Sequence, residues 1–60
     1  MIGQKVKFYK DRYTRPVIIL EGLIIDKILL KEADVAITGY VIDNNGDLHC
    51  VKCWDLIKIL

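Results

Sequence analysis

The stretch from Val17 to Leu30, VIILEGLIIDKILL, decides the fold of this 60-residue chain. Ten of its fourteen residues are Val, Ile or Leu, interrupted only by Glu21, Gly22, Asp26 and Lys27. The β-branched residues favour a strand, the central glycine disfavours a helix, and no apolar stripe of 3.6-residue period separates a wet face from a dry one. We therefore predict one long strand, against which the rest of the chain packs.

Alternation along this strand places apolar residues on both of its faces. One face carries Ile18, Leu20, Gly22, Ile24, Asp26 and Ile28, and its apolar residues are predicted to fill the core. The other carries Val17, Ile19, Glu21, Leu23, Ile25, Lys27 and Leu29. A strand of about 14 residues is long for a small domain, so Gly22 is predicted to mark a bend or a bulge. A strong bend would hide Leu23 and Ile25 within the chain, whereas a straight strand would leave them for a partner.

Four shorter strands are predicted around the long one. Alternation of Val6 and Phe8 with lysines indicates a half-buried first strand, followed by a polar loop that ends at Pro16. Asn45-Gly46 predicts a tight hairpin, and a single helical turn is expected at residues 54–56. The four shorter strands are expected at residues 2–9, 35–42, 48–53 and 57–60.

Length and composition limit the class of protein. Sixty residues predict a single domain over residues 1–60, near the lower limit for independent folding. Hydrophobic residues make up 53% of the chain, which is high for a soluble domain and either fills a tight core or is shared with a partner. Two cysteines three residues apart do not make a disulfide framework. Because we recognise no signal peptide and no bilayer-spanning stretch, we expect a cytoplasmic protein with no membrane contact.

The predicted order of elements resembles the SH3-like small barrel superfamily. The stretches that carry the resemblance are Gly3–Phe8, Glu21–Ile24, Tyr40–Ile42 with its Asn-Gly turn, Val51, and Asp55–Ile59. The resemblance implies an all-β, five-stranded SH3-like barrel with a short 3-10 turn before the last strand. Such barrels occur in ribosomal and transcription factors, chromatin readers, peptide-binding modules and small phage or plasmid proteins, so the resemblance bears on the fold more than on the function.

The apolar second face of the long strand is the main functional signal. A five-stranded barrel has one interior, and contiguous exposed apolar residues usually mark an interface, where two copies of a chain can also pack. The alternative is that strand curvature buries both faces in turn. We interpret the chain as a non-catalytic interaction module or accessory protein that self-associates or docks on a larger protein. The predicted interface comprises Ile19, Leu23 and Ile25, with Tyr13 and Trp54 as anchors.

The basic N-terminal part supports an alternative function. Residues 1–16 carry a net charge of +4 and the remainder −3. Cations interleaved with tyrosines suit phosphate contact and base stacking, although a total charge of +1 is low for a nucleic-acid-binding domain. The nucleic-acid-binding residues of this alternative are Lys5, Lys7, Arg12, Arg15 and Tyr13. A groove for an extended peptide, lined by Tyr9, Tyr13 and Trp54, is another interpretation of the same aromatic residues.

Residues 49–53, HCVKC, contain the one cluster of metal-ligand residue types. Thiolates and imidazole suit zinc, but a structural zinc site takes four ligands and this cluster offers His49, Cys50 and Cys53. A metal-bridged oligomer is therefore a third alternative, and we expect no cofactor. The chain has no serine, one histidine and no Gly-rich phosphate loop, so we predict that it is not an enzyme.

Overall fold

The computed structural model describes residues 2–60, and Met1 of the predicted 1–60 domain lies outside that range. Five antiparallel strands form one sheet in the order β4-β3-β2-β1-β5. The strands are β1 Lys5–Asp11, β2 Ile18–Glu32, β3 Val35–Asn44, β4 Asp47–Lys52 and β5 Leu56–Ile59, with a 3-10 turn at Cys53–Asp55. The predicted all-β class, the five strands and the turn before the last strand are confirmed. Within residues 2–60, no helix is long and apolar enough to cross a membrane.

The predicted closed barrel is wrong for this structure, because the sheet keeps two free edges in the part of the chain that is described. β4 pairs with β3 and β5 pairs with β1, but β4 and β5 do not pair with each other. β5 is short, and its pairing with β1 slips by one residue at Ile57. One 3-10 turn carries the chain from β4 to β5 without bringing their edges into hydrogen-bonding register.

A small core lies on one face of the curled sheet. Val6, Phe8, Ile24 and Ile42 are fully buried there. These residues come from the three central strands, and each alternates with residues that face outward. The core is completed by Tyr40 and Val51, with Leu20 and Leu56 packed against it.

β2 is one continuous strand, and its bulge lies at Ile25 instead of the predicted Gly22. Pairing with β1 is regular through Gly22, whereas pairing with β3 slips at Ile25. Gly22 instead permits close packing. A Cβ at this position would lie 2.5 Å from Cγ2 of Ile42 and 2.7 Å from the carbonyl oxygen of Asp43. The glycine is therefore required by a neighbouring strand and not by a bend.

The bulge also changes which β2 residues face the core. An extra residue in one strand moves every later side chain to the opposite face. Leu20 and Ile24 face the core as predicted, but Ile28 lies beyond the bulge, on the outer side, and is half-buried. Ile18, also predicted in the core, is 41% exposed because it lies at the start of β2, beside Asp11 at the end of β1.

Two-residue turns connect β2 to β3 and β3 to β4. Asn45 and Gly46 have φ angles of 51° and 97°, as a tight two-residue hairpin turn requires, and the predicted Asn-Gly hairpin is confirmed. Ala33 and Asp34 also have positive φ angles, 50° and 65°. The connector between β2 and β3 is limited to these two residues, because β2 continues to Glu32.

Candidate interaction surfaces

The face of the sheet opposite the core carries an open groove over β1, β2 and the β3–β4 turn. Antiparallel pairing sets Lys5 beside Leu23 and Lys7 beside Glu21, and paired residues project to the same face. The β2 floor of the groove therefore carries Ile19, Glu21 and Leu23, with the lysines of β1 on one side and Asp43 of β3 on the other. We call it the outer groove; it is lined by Lys5, Lys7, Ile19, Leu20, Glu21, Gly22, Leu23, Asp43, Asn44 and Asn45.

The three apolar residues of the predicted interface are all exposed. Ile19 is 45% exposed, Leu23 43% and Ile25 41%. Ile19 and Leu23 line the outer groove, whereas Ile25 lies at the bulge and outside the groove lining. The strand irregularity therefore does not hide these side chains within residues 2–60, which leaves them open to a partner.

A row of residues crosses the outer face at the level of Leu23. Lys5 of β1 and Asp43 of β3 are both register partners of Leu23. Beyond Asp43, the row continues to Leu48 of β4. On the other side, Leu60 donates its backbone N–H to the carbonyl of Lys5 over 2.8 Å. From β5 to β4, this cross-strand row is apolar, cationic, apolar, anionic and apolar.

No side chain of the outer groove forms an ion pair within the described chain, although Lys7 is the register partner of Glu21. Both ion pairs found among residues 2–60 lie elsewhere in the sheet. Lys7 is also the register partner of Lys58 on β5, and like charges placed opposite each other in a ladder are destabilising. Glu21, on the β2 side of Lys7, offsets part of this repulsion. Lys5 has Leu23 as its register partner on β2, so its charge is the more available to a partner.

Arg12 ties the β1–β2 loop to the 3-10 turn. Its guanidinium forms an ion pair with Asp55 and donates a hydrogen bond to the carbonyl oxygen of Trp54 over 2.8 Å. It also lies 5.0 Å from the centre of the Tyr9 ring, within the range of a cation–π contact. Both polar contacts are made by Nη2, whereas the buried Nε has no hydrogen-bond partner among the described residues. The contacts of Nη2 give Arg12 a structural role at this end of the sheet.

The two predicted anchors lie outside the outer groove. Trp54 is 52% exposed on the 3-10 turn, and Tyr13 is 88% exposed on the β1–β2 loop. The ammonium group of Lys52 lies 5.6 Å from the centre of a Trp54 ring and 2.7 Å from a carboxylate oxygen of Glu32. The hydrogen bond from Lys52 to Glu32 raises the pKa of Lys52 above its ordinary value of 10.5. The structure therefore separates the anchors from Ile19 and Leu23.

The candidate nucleic-acid residues are divided between two places. Lys5 and Lys7 lie on the outer face. Arg12, Tyr13 and Arg15 belong to the β1–β2 loop. Since Asp55 neutralises Arg12, the loop presents fewer free cations than the sequence indicated.

The metal-ligand residue types of β4 and the 3-10 turn do not form one site within residues 2–60. The ring of His49 lies 5.5 Å from that of Phe8, on the core side. Cys50 and Cys53 are free thiols and are exposed. No group of three or more metal-ligating side chains occurs in the described part of the chain. A metal-bridged oligomer would need ligands from two molecules, and elemental analysis of the purified chain tests it.

Sequence reasoning missed the acidic side of the outer groove. The Asn-Gly turn alone sets Asp43 opposite Leu48, so that part was accessible from turn chemistry. The pairing of Asp43 with Leu23 could not be predicted from turn chemistry, because it depends on the β2–β3 register.

No protein-family model, curated protein or solved structure matches this chain.

Proposed function

We propose that this chain is a non-catalytic interaction module that self-associates or docks on a larger protein through the outer groove. The observation that carries the proposal is the exposed Leu23 between Lys5 and Asp43, two charges with no ion-pair partner within residues 2–60. An apolar centre bordered by polar groups is the usual anatomy of a protein interface.

The amount of exposed surface supports the proposal. The chain exposes 4330 Å², compared with about 4,000 Å² expected for a folded monomer of its mass. Its fully or nearly buried core consists of six side chains. A standard interface removes about 800 Å² from each partner, roughly a fifth of this surface. Covering Ile19 and Leu23 would supply part of the apolar burial that the small core lacks.

The finer fold assignment, an SH3-like small barrel left open at one seam, belongs to the same proposal. Its support is the strand order and the long β2, which pairs with β1 in its first part and with β3 in its second. Amide hydrogen exchange tests the seam. An open edge predicts fast exchange at alternate β4 amides, whereas uniform protection of β4 in the monomer would indicate a closed barrel.

Two leucine substitutions in β2 test the function. Leu23→Glu introduces a carboxylate into the groove floor and is expected to abolish association, measured by light scattering over a concentration series and by capture on immobilised chain. Leu29→Glu is the matched control, because Leu29 is 72% exposed and lies on the opposite side of β2. Equal association by the two variants would contradict the proposal, as would a wild-type chain that stays monomeric and binds no protein.

Nucleic-acid binding is a second candidate, favoured by one observation. Tyr13 is 88% exposed on a loop that also carries Arg15, so a base could stack there beside a phosphate contact. The expected result is salt-sensitive binding to mixed oligonucleotides that weakens in Tyr13→Ala and Arg15→Ala. Absence of binding at low salt would exclude this candidate.

A further inference from the structure

We infer that the occupant of the outer groove is a second copy of this chain, related to the first by a two-fold axis that runs along β2. The inference rests on the proposed function for the choice of surface, and it adds the partner and the symmetry. It is argued from the cross-strand row, whose charges are opposite on the two sides of Leu23 and whose outermost residues are both leucines.

A rotation of 180° about an axis along β2 exchanges the β1 side of the row with its β3 side. Each residue keeps its position along the strand direction. β1 of one copy then lies over β3 of the other. Lys5 faces Asp43 of the second copy, and Leu23 faces Leu23 of the second copy. Further from the axis, Leu60 lies on the same side as Leu48 of the second copy. Each dimer therefore gains two ion pairs around a central leucine contact.

The charge pattern selects this axis over the other face-to-face arrangement. An axis that crosses the strands would place β1 over β1 of the second copy. Lysines would then face lysines, because β1 carries both Lys5 and Lys7 on the outer face. Like charges brought together at an interface cost affinity. The axis along β2 avoids this contact and is the arrangement in which the row is complementary to itself.

One contact, between the two Glu21 side chains, opposes the association, and its removal gives a further test of the dimer. Glu21 lies on β2, so the two Glu21 side chains meet near the axis. Each has Lys7 as its register partner within its own sheet, which offsets part of the repulsion. Glu21→Gln is therefore expected to tighten the dimer, by about threefold for the removal of one exposed like-charge contact.

Cross-linking tests the central leucine contact. Packed sheets lie about 10 Å apart, which suits a short bis-maleimide better than a disulfide. In a Cys50→Ser, Cys53→Ser background, Leu23→Cys is expected to yield cross-linked dimer. Leu29→Cys is expected to yield none, although Leu29 is the more exposed at 72%. Equal cross-linking of the two variants, or none with Leu23→Cys, would overturn the face-to-face dimer.

Charge reversal tests the facing pair. Lys5→Glu is expected to raise the dissociation constant of the dimer about tenfold, because two ion pairs become two like-charge contacts. Lys10→Glu is the matched control, since Lys10 is an exposed lysine of the same strand outside the groove lining. Asp43→Asn is also expected to weaken the dimer, while it keeps the side-chain oxygen that accepts from the N–H of Gly46 over 2.7 Å. Equal effects of Lys5→Glu and Lys10→Glu would contradict the facing pair.

The oligomeric state separates failure of this inference from failure of the proposed function. A monomeric wild-type chain that binds a different protein, and loses that binding in Leu23→Glu, overturns the second copy but keeps the interaction module. A wild-type association that Leu23→Glu does not change overturns both.

Discussion

The two parts of β2 have similar sequences but different environments. Residues 18–23 pair with β1, and Leu20, Gly22 and Ile24 in this first part face the core. Residues 26–32, beyond the bulge at Ile25, pair with β3 and contain no buried side chain. β4 reaches only to the level of Gly39, so the far end of the β2–β3 hairpin has no third strand beside it. The number of surrounding strands, more than hydrophobicity, decides which of these apolar residues are buried.

The largest difference between the two parts is expected on truncation of a side chain. Ile24 is fully buried, and Ile24→Ala is expected to lower the free energy of unfolding by about 2–5 kcal/mol. Leu29 is 72% exposed, so Leu29→Ala is expected to change it by about 0.5 kcal/mol or less. Urea unfolding of the two variants gives both values. Similar losses would show that the far end of β2 is covered in solution.

Substitution of the two glycines within the strands of the sheet is expected to lower the free energy of unfolding by an intermediate amount. Gly22→Ala places a Cβ 2.7 Å from the backbone oxygen of Asp43 and 2.5 Å from Cγ2 of Ile42, and backbone cannot move aside easily. We expect a loss of about 1–3 kcal/mol, as for overpacking in a core. At Gly39, the nearest atom is Cδ1 of Leu30, at 2.7 Å, a flexible side-chain end. Gly39→Ala is therefore expected to cost less, as measured by thermal unfolding, and the reverse order would contradict this packing.

A smaller effect is expected where the β1–β2 loop meets the 3-10 turn. The side chains of Arg12 and Asp55 are 36% and 23% exposed, so solvent screens their ion pair. Arg12→Ala is expected to lower the free energy of unfolding by about 1 kcal/mol. In the wild type, Nη2 makes both polar contacts while the guanidinium lies 5.0 Å from the centre of the Tyr9 ring. Arg12→Lys keeps the charge but loses the planar cation that stacks on an aromatic ring, and should recover only part of the loss. Full recovery in the lysine variant would show that charge alone matters there.

Local patterns predicted the strands, and long-range packing decided the rest. Alternation at Val6 and Phe8 and the turn chemistry of Asn45-Gly46 are properties of a few adjacent residues, so they could be predicted from the sequence. The glycine at position 22 indicated that the strand is unusual there. Whether it marks a bend or close packing against a neighbouring strand depended on Ile42 of β3, which the local sequence does not reveal. Closure of the barrel likewise depended on pairing between β4 and β5, which no local pattern specifies.

The candidate site divides in the same way. Exposure of Leu23 follows from alternation within β2, and it was predicted. The position of Asp43 beside Leu23 depends on the register between β2 and β3, which the bulge at Ile25 shifts. The anionic half of the outer groove therefore could not be placed from the sequence alone.

The smallest effect is expected at the far end of β2, where Glu32 pairs with Lys52 of β4. The hydrogen bond to Glu32 raises the pKa of Lys52 in the folded state above 10.5. Folding is therefore favoured by this pair below pH 10.5, and the contribution is lost as the pH rises through the higher pKa of the folded state. The melting temperature of the wild type relative to Glu32→Gln should be constant through neutral pH and fall only in strongly alkaline solution. A difference that already disappears near neutral pH would show that the pair does not hold the far end of β2 to β4.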